Sequence, residues 1–108
     1  MDKQEITRIL VQLGVKRSLK GFDYLVSCIG YGMKKNRTVW SCIRIVADEF
    51  GCETAAVEHC TRTAVESCDK NITPEDRARL FGNQKMTTAL FIKTVASCIN
   101  DGTLSAKM

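Results

Sequence analysis

Few side chains in this sequence could carry out covalent chemistry or hold a metal. The 108 residues include a single histidine, His59, and six cysteines, none of which form a Cys-x-x-Cys pair. Cys60 directly follows His59, but neighbouring residues on a helix point about 100° apart, and no second ligand pair has the spacing of a zinc site. Neither a Ser-His-Asp order nor a pair of buried carboxylates is evident. We therefore expect no enzyme activity, metal or cofactor, and a free-cysteine nucleophile is the one catalytic alternative that stays open.

The cysteines are better explained as small core residues than as a disulfide framework. They are Cys28, Cys42, Cys52, Cys60, Cys68 and Cys98. An even number in a short chain could indicate disulfides, but most of these fall at apolar helical positions and the opening Met-Asp-Lys-Gln is not a signal peptide. No apolar run approaches the roughly 20 residues of a membrane-spanning helix. We therefore expect six reduced thiols in a cytoplasmic protein that makes no contact with a membrane.

The basic side chains suggest a different kind of chemistry, the binding of phosphate. The net charge is +4, and the excess lies in the first half of the chain, at 16–20 and at Lys34, Lys35 and Arg37. Clustered cations attract the phosphates of nucleic acids, although a mildly basic protein can also show such clusters on a solvated surface. We predict that Lys34, Lys35 and Arg37 contact DNA phosphates rather than bases.

The elements that position these residues are predicted to be helices throughout. Apolar residues recur with helical spacing along the whole chain, and no segment alternates as a strand would. The predicted helices span 6–13, 22–33, 39–50, 57–68, 74–81 and about 87–100. Gly14 and Gly51 end the first and third, Asn36 ends the second, and Thr73-Pro74 begins the fifth. The fold class is therefore all-α, with six helices, no sheet and one domain over residues 1–108.

The third and fourth predicted helices have the spacing of a helix-turn-helix. Ala47 is small where two helices would cross, Gly51 can adopt the positive φ of a sharp turn, and Val57 would bury the second helix against the first. The apolar positions expected between them are Val46, Phe50 and Cys60. Three small or apolar residues can also match by chance in any helical hairpin. The prediction therefore depends on the apolar faces of the two flanking helices, which have the orientation that a helix-turn-helix requires.

The phase of the fourth helix predicts which side chains it exposes. With Val57 inward, the opposite face carries Ala55, Glu58, His59 and Arg62, followed by Thr63 and Glu66. A DNA-reading helix places its N-terminal half in the major groove, so Ala55, Glu58, His59 and Arg62 are the predicted base-side contacts. The alternative is a solvated helix face with a weak ion pair between Glu58 and Arg62.

At these residues the chain resembles the C-terminal effector domain of the stage-zero sporulation master regulator, the Spo-zero-A family. The matching positions are Ile6–Val15 (ITRILVQLGV), Lys20–Phe22, Tyr24, Leu25, Ala47, Phe50, Val57, Glu58, Arg62, Ala64, Glu66 and Leu80–Gly82. The resemblance implies a six-helix transcription factor that binds short promoter boxes, often as a head-to-tail dimer, and contacts a sigma factor of RNA polymerase. The family joins this domain to a phosphorylatable receiver. None is found in residues 1–108, so we expect either a fragment of a longer response regulator or a stand-alone relative.

Within that family, the resemblance also assigns positions on the recognition helix. Glu58 and Arg62 match a glutamate and an arginine there, whereas His59 stands in place of a base-reading arginine and Ala55 in place of a small hydroxyl residue. A histidine cannot reproduce the bidentate fork with which arginine reads guanine. We therefore expect a different or looser DNA preference than that of the family.

Two functions of different classes remain open from the sequence. The first is sequence-directed binding of duplex DNA in transcriptional regulation, which the basic clusters favour. The second is a helical protein-interaction module that binds a sigma factor or a related regulator without reading DNA. The acidic residues of the fourth helix favour this second function, because they would repel phosphate.

Overall fold

The computed structural model describes residues 3–34 and 37–105, and within these ranges it contains helices and no strand. The helices are α1 (Lys3–Leu13), α2 (Lys20–Gly32), α3 (Val39–Phe50), α4 (Thr54–Asn71), α5 (Pro74–Phe81) and α6 (Thr88–Asn100). The prediction of an all-α fold with six helices is therefore confirmed. None of the described helices is long and apolar enough to cross a membrane.

Helix α2 lies at the centre of the fold and packs against α1, α3, α4 and α6. All residues from 21 to 29 except Asp23 are buried, because apolar or small side chains cover almost every face of this helix, as is typical of a helix surrounded by others. The single apolar stripe predicted for it therefore understated its burial. The helix ends at Gly32 rather than near Asn36, which lies outside the described residues.

Helices α2 and α4 approach each other very closely at Gly21. A Cβ atom added to Gly21 would lie 1.9 Å from the carbonyl oxygen of Cys60 and 2.5 Å from its carbonyl carbon. Only a residue without a side chain fits between these backbones. Gly30, on the same helix, has room, because its added Cβ would meet only the Cδ1 atom of Ile6 at 3.8 Å.

Three helices begin at a threonine whose hydroxyl accepts a hydrogen bond from a backbone N–H three residues later. Thr38 caps α3, Thr73 caps α5 and Thr87 caps α6, with distances between 3.0 and 3.2 Å. This arrangement satisfies an N–H group that has no partner within the helix. The predicted start of the fifth helix at Thr73-Pro74 is confirmed.

All six cysteines carry free thiols, three of them fully buried and three partly exposed. Burial raises the pKa of the Cys28 and Cys68 thiols to about 12. These two thiols are therefore protonated at neutral pH, which makes them poor nucleophiles.

Candidate nucleic-acid interface

The turn between α3 and α4 is built by the residues that the sequence singled out. Gly51 ends α3 in the left-handed conformation, with φ 66° and ψ 38°. The Cys52 N–H donates to the Ala47 carbonyl at 2.9 Å and the Gly51 N–H donates to the Asp48 carbonyl at 3.3 Å. These two bonds form a Schellman motif, which satisfies the last carbonyls of the helix and reverses the chain sharply. Helix α4 can therefore begin at Thr54, only three residues after Gly51.

The inner face of α4 is fixed by apolar packing against α2, α3 and α6. Val57, Ala64 and Cys68 are fully buried, as predicted. Thr61 is also fully buried, and its hydroxyl donates to the Val57 carbonyl at 2.7 Å, so its burial leaves no polar atom without a partner. This packing determines which residues α4 presents to solvent.

Two apolar positions of the predicted helix-turn-helix differ from expectation. Phe50 is 42% exposed, and its ring packs edge to face with the Tyr24 ring, with centroids 4.9 Å apart. Cys60 is only partly buried, and Gly21 lies against its backbone. Phe50 is therefore a surface residue of the turn and not a core residue.

The outer face of α4 brings together the four predicted base-side residues. Ala55, His59 and Arg62 are exposed, and Glu58 is half-buried. Glu58 and Arg62 do not form the ion pair that the alternative interpretation would require. Their side chains instead line one groove beside α4, with a volume of about 280 Å³.

The opposite walls of this groove come from the N-terminal turns of two other helices. Val39, Trp40 and Ile43 of α3 form one side, and Thr88 and Ala89 of α6 form another. Trp40 is 52% exposed, and sequence reasoning did not select it. The sequence could have indicated this exposure, because position 40 lies outside the apolar stripe of α3, where a tryptophan side chain does not point into the core.

The predicted phosphate-binding cations form a separate group around Tyr31. Lys34 Nζ lies 5.4 Å and Arg37 Cζ 5.7 Å from the centroid of the Tyr31 ring, within the range of cation–π attraction. Neither of them lines the groove beside α4, and Lys35 lies outside the described residues. The structure thus places Lys34 and Arg37 together, just ahead of α3, but apart from the α4 face.

Tyr31 itself is held by Glu49 of α3. The Tyr31 hydroxyl donates to one Glu49 carboxylate oxygen, and the Ser27 hydroxyl donates to the other at 3.1 Å. Lys3 Nζ lies 3.8 Å from the same carboxylate. Donation by Tyr31, then by Ser27, and the charge of Lys3 hold the pKa of Glu49 below its usual value. This network joins α1, α2 and α3 beneath the two cations.

A second network, around Arg77 of α5, orients the connection that leads to α6. Its guanidinium donates to Asp69 of α4 at 3.1 Å, to the Gly82 carbonyl at 3.2 Å and to the Gln84 carbonyl at 2.7 Å. Because these bonds tie the α5–α6 loop to α4, they also help to place the first turn of α6 beside the groove. The sequence offered no signal for this role, since the partners lie on two different segments, α4 and the α5–α6 loop.

The fold and this surface define a class of protein, the all-helical domains in which a short-turn helical hairpin displays its second helix to solvent. The model of the family described as sporulation initiation factor Spo0A C terminal matches residues 6–99. The chain therefore belongs to this family, whose members are the DNA-binding effector domains of sporulation response regulators. No individually characterised protein matched the chain in sequence.

Proposed function

We propose that this domain inserts α4 into the major groove of duplex DNA and regulates transcription from the promoter boxes it binds. The observation that carries the proposal is the outer face of α4, where Ala55, Glu58, His59 and Arg62 project from a helix anchored by Val57 and the Gly51 turn. An α-helix with its side chains is about 10–12 Å across, and the major groove is about 12 Å wide, so α4 fits it.

Each side chain on this face has a definite role in the proposal. Arg62 reaches a guanine edge or a phosphate, and His59 makes a single hydrogen bond where an arginine would make two. Glu58 accepts from a cytosine amino group, while its charge repels nearby phosphates. Ala55 makes only apolar contact. We therefore expect weak discrimination between DNA sequences at the position that His59 reads.

The cations ahead of α3 supply contacts that do not depend on sequence. Lys34 and Arg37 lie near the Tyr31 ring, and with Lys35 they would neutralise phosphates on one side of the bound duplex. We further propose, from family membership, that the domain acts in the cytoplasm, pairs head to tail on DNA and contacts a sigma factor. We assign it no catalytic role.

The second candidate function is the helical protein-interaction module. It is favoured by the acidic residues of α4 and of the residue directly before it, because they outnumber the basic residues of the same segment. These residues are Glu53, Glu58, Glu66 and Asp69, against His59, Arg62 and Lys70. A surface of this charge would suit a basic partner protein better than it suits a phosphate backbone.

The deciding experiment is a titration of wild type and His59→Arg against a duplex with the family's promoter box and a scrambled duplex. A bidentate arginine–guanine contact contributes about 1–3 kcal/mol of discrimination. We therefore expect His59→Arg to prefer the box over the scrambled duplex by about 5- to 150-fold, and wild type to prefer it less. If neither protein binds either duplex at low salt while circular dichroism shows an intact fold, the interaction module is the better assignment.

A further inference from the structure

Trp40 is a large apolar side chain that the fold leaves uncovered. It lies on the first turn of α3, is 52% exposed and is the only tryptophan in the chain. Its ring forms a ridge between two concavities. One contains Ile43 and Arg62, and the other contains Ser41 and Arg44. An aromatic ridge flanked by two arginines is well suited to contact another molecule.

We propose that Trp40 packs against the sugar–phosphate strand that borders the major groove occupied by α4. This inference rests on the proposed DNA-binding function and adds a contact to it. Because α4 alone would fill the width of the major groove, side chains beside it on neighbouring helices must face one of the two strands. Trp40 shares a groove with Glu58 and Arg62 of α4, so it lies immediately beside the inserted helix. The first helix of a helix-turn-helix crosses the DNA backbone in the same manner.

The contact chemistry is mainly apolar. The face of the indole covers a deoxyribose, and the indole N–H donates to a phosphate oxygen. The charges around the ridge largely offset each other, because Arg62 shares its concavity with Glu58, and Arg44 shares the other with Asp48. Loss of Trp40 should therefore reduce affinity without reducing the number of counterions released on binding, unlike loss of Lys34 or Arg37.

The test uses Trp40 as its own reporter. Binding of a dye-labelled duplex is followed by anisotropy, while tryptophan emission and its quenching by acrylamide are measured in the same titration. We expect quenching to fall as the duplex binds. We expect Trp40→Ala to weaken binding at least about fivefold, equally for the promoter box and the scrambled duplex, with the salt slope unchanged. Trp40→Phe should retain most of the affinity.

The matched control places a tryptophan at another exposed apolar position. Val11 of α1 is 48% exposed and lines neither concavity, so Val11→Trp in the Trp40→Phe background should report no protection on DNA. The inference is wrong, and the proposed function stands, if the duplex binds but acrylamide quenches Trp40 as strongly as in the free protein and Trp40→Ala binds as wild type does. If no duplex binds, both fail together. A change in Trp40 emission with protein concentration alone would instead assign the ridge to a second copy of the chain.

Discussion

Replacing Gly21 with alanine should destabilise the domain more than any other single added methyl on α2. The new Cβ would lie 1.9 Å from the Cys60 carbonyl oxygen, a distance that real Cβ atoms essentially never show. The obstructing atoms belong to the backbone of α4, so they cannot rotate away as the end of a side chain could. The two helices would have to separate by about 1 Å, and the packing of both faces would suffer.

The magnitude follows from the balance of overpacking and helix propensity. Overpacking a well-filled core costs about 1–3 kcal/mol and occasionally more, and we expect the upper end, about 3 kcal/mol, because backbone is displaced. Gly30→Ala is the control, since its Cβ would lie 3.8 Å from the Ile6 Cδ1 atom, an ordinary contact. That variant should gain up to about 1 kcal/mol from the better helix propensity of alanine.

Urea unfolding followed by circular dichroism measures both effects as changes in the free energy of unfolding. For a domain of this size, a loss of 3 kcal/mol should also lower the melting temperature by roughly 12 °C or more. The slope of the unfolding transition should not change, which would show that the compactness of the unfolded chain is unaltered. Gly21→Ala as stable as Gly30→Ala would refute the close approach of α2 and α4.

Two further predictions concern the basic residues Lys34, Lys35 and Arg37, and the hydrogen bond between Tyr31 and Glu49. Replacing Lys34, Lys35 and Arg37 with alanine should weaken binding of every duplex about equally and reduce the salt slope by about 1 for each lost phosphate contact; a changed sequence preference at full affinity would contradict this. Because the folded pKa of Glu49 is lowered, chiefly by the Tyr31 hydroxyl, this contribution to stability is present above the ordinary carboxyl pKa of 4.5 and is lost as the pH falls through the lowered value. Tyr31→Phe should thus make the free energy of unfolding less sensitive to acid as the pH falls below about 4.5. An unchanged pH profile, measured by urea unfolding, would exclude Tyr31 as the cause.

Much of the local structure of this protein was determined by the sequence alone. Five apolar stripes and the start signal at Thr73-Pro74 predicted six helices, and Gly51 and Thr73 marked a helix end and a helix start correctly. These signals are readable because each depends on residues within one or two helical turns. The phase of α4 was predictable for the same reason, and with it the shared face of Glu58, His59 and Arg62.

Only the tertiary structure decided how these faces meet. Gly21 matched a family motif, but the need for glycine arises from the Cys60 carbonyl, 39 residues away, and depends on where α2 crosses α4. Phe50 lies on the apolar stripe of α3 yet is 42% exposed at the last position of that helix. Trp40 gains its position beside Arg62 from the packing of α3, α4 and α6. Helical periodicity predicts which face of a helix is apolar. It does not predict where along the helix a partner covers that face, because this depends on how the two helices cross.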